Sequence, residues 1–222
     1  MGGQACILYG AAEFSRDIDF AVAVSAGNLD RLRAALDELR AEPIFYPPLS
    51  EDALRRGHAC HFRCRAAGLH NLRIDVMSVM RGAAPFGALW KRRARLRLPG
   101  DGSVSVVSLQ DLVAIKKTQR DKDWLMLRRL VEADVAGGPR RAPRSRIAFW
   151  LRECRTPTLL VDLARRFPRV VVARRAVAAA RRGDRRAVEQ ELRREEVRER
   201  ALDRRYWAPL RAELERWRLA RS

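Results

Sequence analysis

The sequence predicts a mixed α/β (α+β) fold followed by an Arg-rich helical region, and two observations support this prediction. In the first half of the chain, short apolar segments of strand length alternate with segments whose apolar residues recur at helical spacing. After Gly137-Gly138-Pro139 the composition shifts to Arg-rich segments of helical pattern. The 222 residues are enough for one sizeable domain or two small ones, and we expect two domains, at residues 1–136 and 144–222.

The elements of the first predicted domain follow from these patterns. Small apolar residues after the Gly2-Gly3 pair indicate a short helix, and the alternating run at 17–24 ends in residues that favour strands. Apolar residues at helical spacing from 29 to 39 indicate a second helix. Two pairs of strand-like segments follow, with a helix between them. The predicted order is helix 4–11, strand 17–24, helix 29–39, strands 59–67 and 71–79, helix 86–93, and strands 94–98 and 103–107.

The rest of the chain is predicted to be helical. Ser108 is a residue type that commonly caps a helix N-terminus, and a helix through Gln119 is expected after it. The Gly- and Pro-containing stretch 137–143 is the best candidate for a domain boundary. The helices predicted here are 109–119 and 121–133 before that boundary, and 144–153, 156–166, 170–181, 184–204 and 206–220 after it.

The charge of the chain is high and uneven. Forty-six basic and 27 acidic residues give a net charge of +19. Residues 139–222 hold 25 Arg and 11 acidic residues, a net +14, so residues 1–138 carry only +5. A strongly basic region is typical of proteins that bind nucleic acid or another polyanion. Because 42 of the 46 basic residues are Arg, the compositional bias of a GC-rich genome is a competing interpretation.

Several classes of protein are not expected from the sequence. It has no run of 18 apolar residues and no signal-peptide pattern at its N-terminus. The four cysteines, Cys6, Cys60, Cys64 and Cys154, lack the spacing of a disulfide framework. We therefore expect a soluble, cytoplasmic protein with reduced thiols and no membrane partner.

Three Asp residues form the candidate catalytic centre. Asp17 and Asp19 lie one residue apart in an apolar run, and Asp75 lies in a second apolar run. Because residues i and i+2 of a strand point to the same face, the carboxylates of Asp17 and Asp19 would project together. Adjacent carboxylates repel each other, and a divalent cation such as Mg²⁺ or Mn²⁺ commonly stabilises them. The competing interpretation is a strand that merely begins with polar residues.

The Gly2-Gly3 pair adds a feature of phosphate-binding sites. Glycines at the start of a helix let backbone N–H groups approach an anion, and the positive end of the helix dipole favours negative charge. Next to Asp17, Asp19 and Asp75, such a turn suits in-line attack at a nucleotide phosphorus, where metal ions activate the attacking oxygen and neutralise the leaving pyrophosphate. A Gly-Gly pair alone is weak support, and the combination is more specific.

A lysine cluster at residues 116–123 is the fourth candidate element. Three of the four lysines of the chain lie within seven positions, in a sequence that otherwise uses Arg. Lys116 and Arg120 are spaced i, i+4 and would share a helical face that could reach the β and γ phosphates. Asp123 would orient either cation. The competing interpretation is a solvated, charged helix end.

Together these motifs resemble those of the minimal nucleotidyltransferases of the DNA polymerase β-like superfamily. The resemblance rests on the Gly-Gly pair, Asp17-x-Asp19, a distant Ile-Asp-Val at 74–76, and Leu-x-x-x-Lys-x-x-x-Arg-x-x-Asp at 112–123. It covers about residues 2–134. Within the superfamily the chain is most similar to the AbiEii-type and related stand-alone nucleotidyltransferases, some of which are toxins of toxin–antitoxin pairs.

The resemblance implies a nucleotidyltransferase-type mixed sheet with flanking helices, and an enzyme that transfers an NMP group from an NTP such as ATP to an acceptor hydroxyl. Asp17, Asp19 and Asp75 would be the ligands of Mg²⁺ or Mn²⁺, and Asp75 would often also be the base for the acceptor hydroxyl. The residues implied to bind the triphosphate are Gly2, Gly3, Ser15, Lys116 and Arg120. The basic helical domain would present the acceptor, for which tRNA is an attractive candidate, and a cognate antitoxin is a further possible partner. A protein side chain or a small molecule remains open as acceptor.

The sequence departs from the family pattern in two places. The family has a helix and a buried apolar strand before the glycine pair, whereas this sequence begins at Met1-Gly2-Gly3. We expect that the natural start lies upstream, and a shortened form is the alternative. Many relatives carry an Arg four residues before the first Asp, where this chain has Glu13. Arg16 is the candidate to supply that phosphate contact, in a supporting role with Asp123.

Three further interpretations remain open from the sequence. The rival function is a non-catalytic nucleic-acid-binding protein on a degenerate, shortened transferase core. The segment 58–64 (HACHFRC) has residue types found in zinc sites, but no second pair of such residues occurs elsewhere, which favours strand packing with His61 facing away from Cys60 and Cys64. The five tryptophans are expected to pack in helices rather than to stack on bases.

Overall fold

The computed structural model describes residues 1–69, 71–98, 100, 102–139 and 141–220. The chain forms two compact units. Unit 1 comprises Met1–Leu8, Ala12–Ile115 and Arg205–Ser222, and unit 2 comprises Tyr9–Ala11 and Lys116–Arg204. The domain boundary predicted at 137–143 differs from the boundaries of these two compact units. The compact units do not show which segments fold independently, so the domains predicted at 1–136 and 144–222 stay a prediction.

The strands of unit 1 form two sheets. They are β1 Asp17–Ala21, β2 Ala41–Pro43, β3 Cys60–Cys64, β4 Arg73–Met77, β5 Ala94–Arg97 and β6 Ser103–Val106. The larger sheet has the order β1-β4-β3-β2, with β1 parallel to β4 and the other neighbouring strands antiparallel. β5 and β6 form a separate antiparallel pair. The predicted mixed α+β fold is thus confirmed.

Five helices of unit 1 connect and flank these strands. They are α1 Gly2–Leu8, α2 Ala26–Glu38, α3 Glu51–Arg56, α4 Phe86–Arg92 and α5 Leu109–Ile115. The sequence interpretation missed α3 because six residues are too few to show helical spacing. Its ends do carry helix signals, since the Oγ of Ser50 accepts a hydrogen bond from the Ala53 N–H at 3.1 Å and Gly57 has a left-handed φ of 96°. Ser108 caps α5 as expected, because its Oγ accepts from the Asp111 N–H.

The core of unit 1 lies on one face of the four-stranded sheet. Strand residues that alternate along β3 and β4 pack there against α2 and α3. The buried residues of this core are Leu29, Leu36, Ala53, Leu54, Cys60, Phe62, Cys64, Ile74 and Val76. The same alternation turns the polar residues of β1, β3 and β4 to the opposite face. The core therefore fixes which side chains can form a site on the other side of the sheet.

Unit 2 is helical. Its helices are α6 Asp121–Ala136, α7 Arg144–Glu153, α8 Pro157–Arg166, α9 Arg175–Arg181 and the first part of α10, which spans Arg185–Leu219. The largest buried side chains come from α6, α7, α8, α9 and α10, and include Leu127, Leu130, Leu151, Leu160 and Val188. No helix in the described part of the chain combines the length and the apolar character needed to cross a membrane.

Two helix predictions in the C-terminal region are wrong. The segments 184–204 and 206–220 form one helix that continues through Pro209. Within unit 1, Glu213 beyond this proline pairs with Arg56 at 2.7 Å and with His58 at 2.8 Å, and such contacts offset the cost of a proline in the helix. Helix α9 begins at Arg175 rather than at 170. The Arg174 guanidinium donates to the carbonyl oxygens of Leu151 and Cys154, which holds this residue outside the helix.

Candidate functional site

The polar face of the four-stranded sheet carries the three Asp residues singled out by sequence. The parallel register of β1 and β4 places Asp19 beside Asp75, and Asp17 beside Arg73. Paired residues of neighbouring strands point to the same face, and the strands lie about 4.8 Å apart. The structure therefore brings Asp17, Asp19 and Asp75 to one face of two adjacent strands.

The glycine pair lies directly against these aspartates. Gly2 has a φ of 67°, in the left-handed region that favours glycine, and a Cβ on this residue would lie 1.7 Å from Oδ2 of Asp19. A Cβ on Gly3 would lie 2.2 Å from Oγ of Ser15. The Ser15 hydroxyl in turn donates to Oδ1 of Asp17 at 2.8 Å. The close approach of Gly2 to Asp19 thus requires glycine, and the predicted phosphate-binding residues Gly2, Gly3 and Ser15 adjoin the two aspartates of β1.

Asp75 belongs to a hydrogen-bonded network on β3 and β4. Its Oδ1 accepts from Nε of Arg73 at 2.7 Å and lies 2.8 Å from Nδ1 of His61. Burial alone would raise the pKa of Asp75, but the hydrogen bonds with His61 and Arg73 outweigh it, and the pKa lies below its usual range. The bond to Asp75 also raises the pKa of Arg73, and the charges of Asp17 and Asp19 contribute. Asp75 is therefore ionised at neutral pH, with Arg73 in the field of all three carboxylates.

Sequence reasoning missed Arg73 and His61 as members of this site. Arg73 lies two residues before Asp75, so strand alternation alone places both on the same face. His61 pairs with Asp75 across β3 and β4, which could be known only from the strand register. Phe45 adds an exposed ring that contacts both side chains, 5.6 Å from the Arg73 guanidinium and 5.7 Å from the His61 ring.

The predicted cations of residues 116–123 lie in unit 2 and form a cluster of their own. Asp123 is 1% exposed and accepts from Nζ of Lys116 at 3.0 Å, Oγ1 of Thr118 at 2.6 Å and Nε of Arg120 at 2.6 Å. Burial would raise the pKa of Asp123, but the Lys116 charge and the bonds from its neighbours lower it. Asp123 does contact both cations, as expected of a supporting residue. The triphosphate role of Lys116 and Arg120 stays a prediction.

The expectation that Lys116 and Arg120 share a helical face is wrong. Helix α5 ends at Ile115, and residues 116–120 form a loop before α6. Side chains satisfy the backbone of this loop: the Gln119 N–H donates to Oδ2 of Asp203 at 2.9 Å, and Nε1 of Trp124 donates to the Thr118 carbonyl at 2.7 Å. These bonds replace those that a continued helix would make.

The residues before β1 contribute less to the site. Glu13 and Arg16 are both exposed. An exposed Arg16 has the freedom to contact a phosphate near Asp17, its neighbour in the chain. Its supporting role stays a prediction.

The carboxylates of β1 are the candidate ligands for the predicted divalent cation. Among the described residues, no three His, Cys, Asp or Glu side chains form a group that could hold a metal ion by themselves. Mg²⁺ is usually held by one or two carboxylates, with water and substrate phosphates completing its octahedron. Asp17 and Asp19 supply such a pair of oxygen donors. Asp75 fits less directly, because its Oδ1 is already engaged by Arg73 and His61.

The zinc interpretation of residues 58–64 has no support in the geometry. Cys60 and Cys64 point into the core with Phe62, whereas His61 lies on the opposite face beside Asp75. His58 lies 2.8 Å from Glu213. All four cysteines are buried and outside any disulfide, and burial raises the pKa of Cys60 to about 11, which disfavours the thiolate that zinc requires.

No protein-family model matches the chain, and no curated protein matches its sequence. The resemblance to nucleotidyltransferases therefore rests on the sequence motifs and stays a prediction.

Proposed function

We propose that the chain is a metal-dependent nucleotidyltransferase that transfers an NMP group from an NTP to an acceptor hydroxyl and releases pyrophosphate. One observation carries the proposal: the parallel register of β1 and β4, which aligns Asp17, Asp19 and Asp75 on one face. The glycine turn against Asp19 and the resemblance to the DNA polymerase β-like superfamily support the same chemistry.

Asp17 and Asp19 are the residues that would hold Mg²⁺ or Mn²⁺. Such an ion, when bound, stabilises charge on the reacting phosphate and on the leaving pyrophosphate. The backbone N–H groups of Gly2 and Gly3 would contact the triphosphate, while the space that a Cβ would fill at these glycines is taken by the side chains of Asp19 and Ser15. The Ser15 hydroxyl holds Asp17 by its Oδ1, which orients this carboxylate on the strand.

Asp75 contributes a negative charge, because its hydrogen-bond partners keep its carboxyl group ionised. A base with a lowered pKa takes up a proton poorly at neutral pH, so the network favours Asp75 as the third charged group over Asp75 as the base for the acceptor hydroxyl. Arg73 reduces the repulsion among the three carboxylates, because it pairs with Asp75 and lies beside Asp17 in the register.

The proposed acceptor is RNA, with tRNA as one candidate, contacted by the basic C-terminal region. The net charge of +14 over residues 139–222 supports a polyanionic partner. A cognate antitoxin is proposed on the resemblance alone. A toxin role rests on the same ground.

One observation favours the alternative of a non-catalytic nucleic-acid-binding protein. Arg73 already neutralises Asp75 at 2.7 Å, which is what a carboxylate retained for stability would show. In that case Asp17 and Asp19 would be dispensable for every activity of the protein.

The test is transfer of label from α-³²P-labelled NTPs to total RNA in the presence of Mg²⁺. We expect labelled RNA with the wild-type protein and none with γ-labelled NTPs, because the γ phosphate leaves with pyrophosphate. The variant Asp17→Asn/Asp19→Asn should lose the transfer, and Asp75→Asn should lower it while NTP binding is retained.

A matched control is Asp30→Asn/Asp37→Asn, which removes two exposed carboxylates from α2. It should transfer label at the wild-type rate. Transfer by Asp17→Asn/Asp19→Asn at the rate of the α2 control would refute the assigned site.

A further inference from the structure

The segment from α4 through β6 of unit 1 has an unusual composition. Residues 86–98 include five basic residues and no acidic residue. Up to residue 106 the sequence adds one acid, Asp101, which lies outside the described residues. By contrast, the α10 region of unit 2 mixes Arg with Glu along its whole length. The first segment therefore carries concentrated positive charge in a part of the chain that is otherwise nearly balanced.

The exposed face of the β5–β6 pair presents hydrogen-bond donors and no carboxylate. Arg95 and Arg97 are exposed while Ala94 and Leu96 turn the other way. In the antiparallel register Arg95 pairs with Ser105, and Arg97 with Ser103, so that two guanidinium groups and two exposed hydroxyls share one face. The two Arg residues lie about 7 Å apart along the strand, enough to contact different phosphates.

An exposed tryptophan precedes this strand pair. Trp90 is 48% exposed, whereas Trp124 and Trp150 are buried. The expectation that the tryptophans pack rather than stack on bases stays a prediction for this exposed residue. The Phe86 ring lies 5.9 Å from the Trp90 ring at an interplanar angle of 20°, and the Arg93 guanidinium lies 3.9 Å from the Trp90 ring centroid. These neighbours hold the indole at the surface, where half of it faces solvent.

The cations of this segment are largely free of acidic partners. Within the described ranges, no carboxylate pairs with Lys91, Arg93, Arg95 or Arg97, and the one ion pair is Arg92 with Asp111 at 2.6 Å. In unit 2, several Arg residues are already paired. These pairs include Arg185–Glu189, Arg194–Glu191, Arg200–Glu196 and Arg174–Glu195. A phosphate therefore meets less competition at residues 86–106.

We propose that this surface, formed by α4 and the β5–β6 pair and here called the basic hairpin surface, binds single-stranded nucleic acid. The Arg and Ser side chains contact phosphates, and the exposed indole of Trp90 stacks on a base. A duplex offers no free base face for this contact. An acidic peptide would match the charge but would gain little from the indole. The proposal goes beyond the transferase activity and stands or falls independently of it.

The test is fluorescence anisotropy with a 5′-labelled 12-nucleotide oligouridylate, U12, over a range of salt concentrations. Trp90→Ala should weaken binding between about 5-fold and 100-fold, and Trp90→Phe should restore most of it, because phenylalanine keeps an aromatic face. The logarithm of the association constant falls as the logarithm of the salt concentration rises. In Arg95→Ala/Arg97→Ala the slope of this dependence should become less negative by about 1.4, the value for two lost phosphate contacts on a single strand.

The matched control is Arg31→Ala/Arg33→Ala, which removes two exposed Arg side chains from α2 of the same unit. It should leave both the affinity and the salt slope near the wild-type values. Circular dichroism of each variant verifies folding.

Three results would overturn the proposal. They are the absence of U12 binding by the wild-type protein at 50 mM salt, equal effects of the Arg95/Arg97 and Arg31/Arg33 variants, and equal binding of a 12-base-pair duplex. Polyglutamate that binds with the same dependence on Trp90 would instead assign the surface to an acidic protein segment.

Discussion

Each of the two units contains Asp side chains close to cations, and the two groups differ in how deeply the carboxylates are buried. In unit 2, Asp123 is buried and accepts hydrogen bonds from Lys116, Thr118 and Arg120. In unit 1, Asp17 and Asp19 are only half-buried on the polar face of the sheet. In the amino-acid sequence both groups of residues resemble ligand-binding motifs.

The difference separates a structural cluster from a candidate site. A carboxylate enclosed by three donors contributes to stability, and its removal leaves the buried Lys116 ammonium without its charged partner. Two carboxylates that face the same way and keep access to solvent repel each other, and a bound cation relieves this repulsion. We infer that residues 116–123 chiefly stabilise unit 2, whereas the sheet face is the place where chemistry would occur.

The largest expected effect is that of Asp123→Asn. The substitution removes the negative charge from a buried ion pair and should lower the free energy of unfolding by about 3–5 kcal/mol. Urea denaturation measures the change. The control is Asp121→Asn, two residues earlier, because the Asp121 side chain is 97% exposed and should matter little. Equal destabilisation by the two variants would contradict the structural role of Asp123.

The second prediction concerns the glycine turn against the sheet face. Gly2→Ala places a Cβ in a left-handed conformation and within 1.7 Å of Oδ2 of Asp19, so we expect a loss of about 2–3 kcal/mol. Gly68 has a similar φ of 79°, but no atom lies within 4 Å of the position that a Cβ would take. Gly68→Ala should therefore lower the free energy of unfolding by only about 1 kcal/mol. Thermal denaturation compares the two. A Gly68→Ala variant that is the less stable of the pair would show that the contact with Asp19 is unimportant.

The third and smallest effect is a pH dependence. The pKa of Asp123 is lower in the folded protein than in the unfolded chain, where it is about 3.9. The stability that Asp123 contributes is therefore present above about pH 4 and is lost as the pH falls through its folded-state pKa. We expect the difference in unfolding free energy between wild type and Asp123→Asn to shrink below pH 4. A difference that stays constant down to pH 2 would be inconsistent with this coupling.

Most helices and strands could be predicted from the sequence, because the alternation of apolar residues in strands and their helical spacing depend only on nearby residues. Alternation correctly placed Cys60, Phe62 and Cys64 on the core face, with His61 opposite. The continuity of α10 through Pro209 was not readable, since contacts of Glu213 with residues about 155 positions away support it.

Part of the candidate site could be predicted from the sequence, because it too depends on local alternation. Alternation predicts that Asp17 and Asp19 project together, but only the register of β4 with β1 and β3 reveals the partners of Asp75. The loop at 116–120 could not be foreseen, because the Gln119 N–H bonds to Asp203, 84 residues later. Residues that depend on such pairings need the three-dimensional structure.

The most direct test of the central claim is Mn²⁺ binding followed by electron paramagnetic resonance. We expect the wild-type protein and the α2 control Asp30→Asn/Asp37→Asn to reduce the signal of free Mn²⁺ equally. The variant Asp17→Asn/Asp19→Asn should leave that signal unchanged while it unfolds in urea close to the wild-type midpoint. Mn²⁺ binding by this variant at wild-type affinity, or no binding by the wild-type protein, would contradict the assignment of the sheet face as a metal-dependent active site.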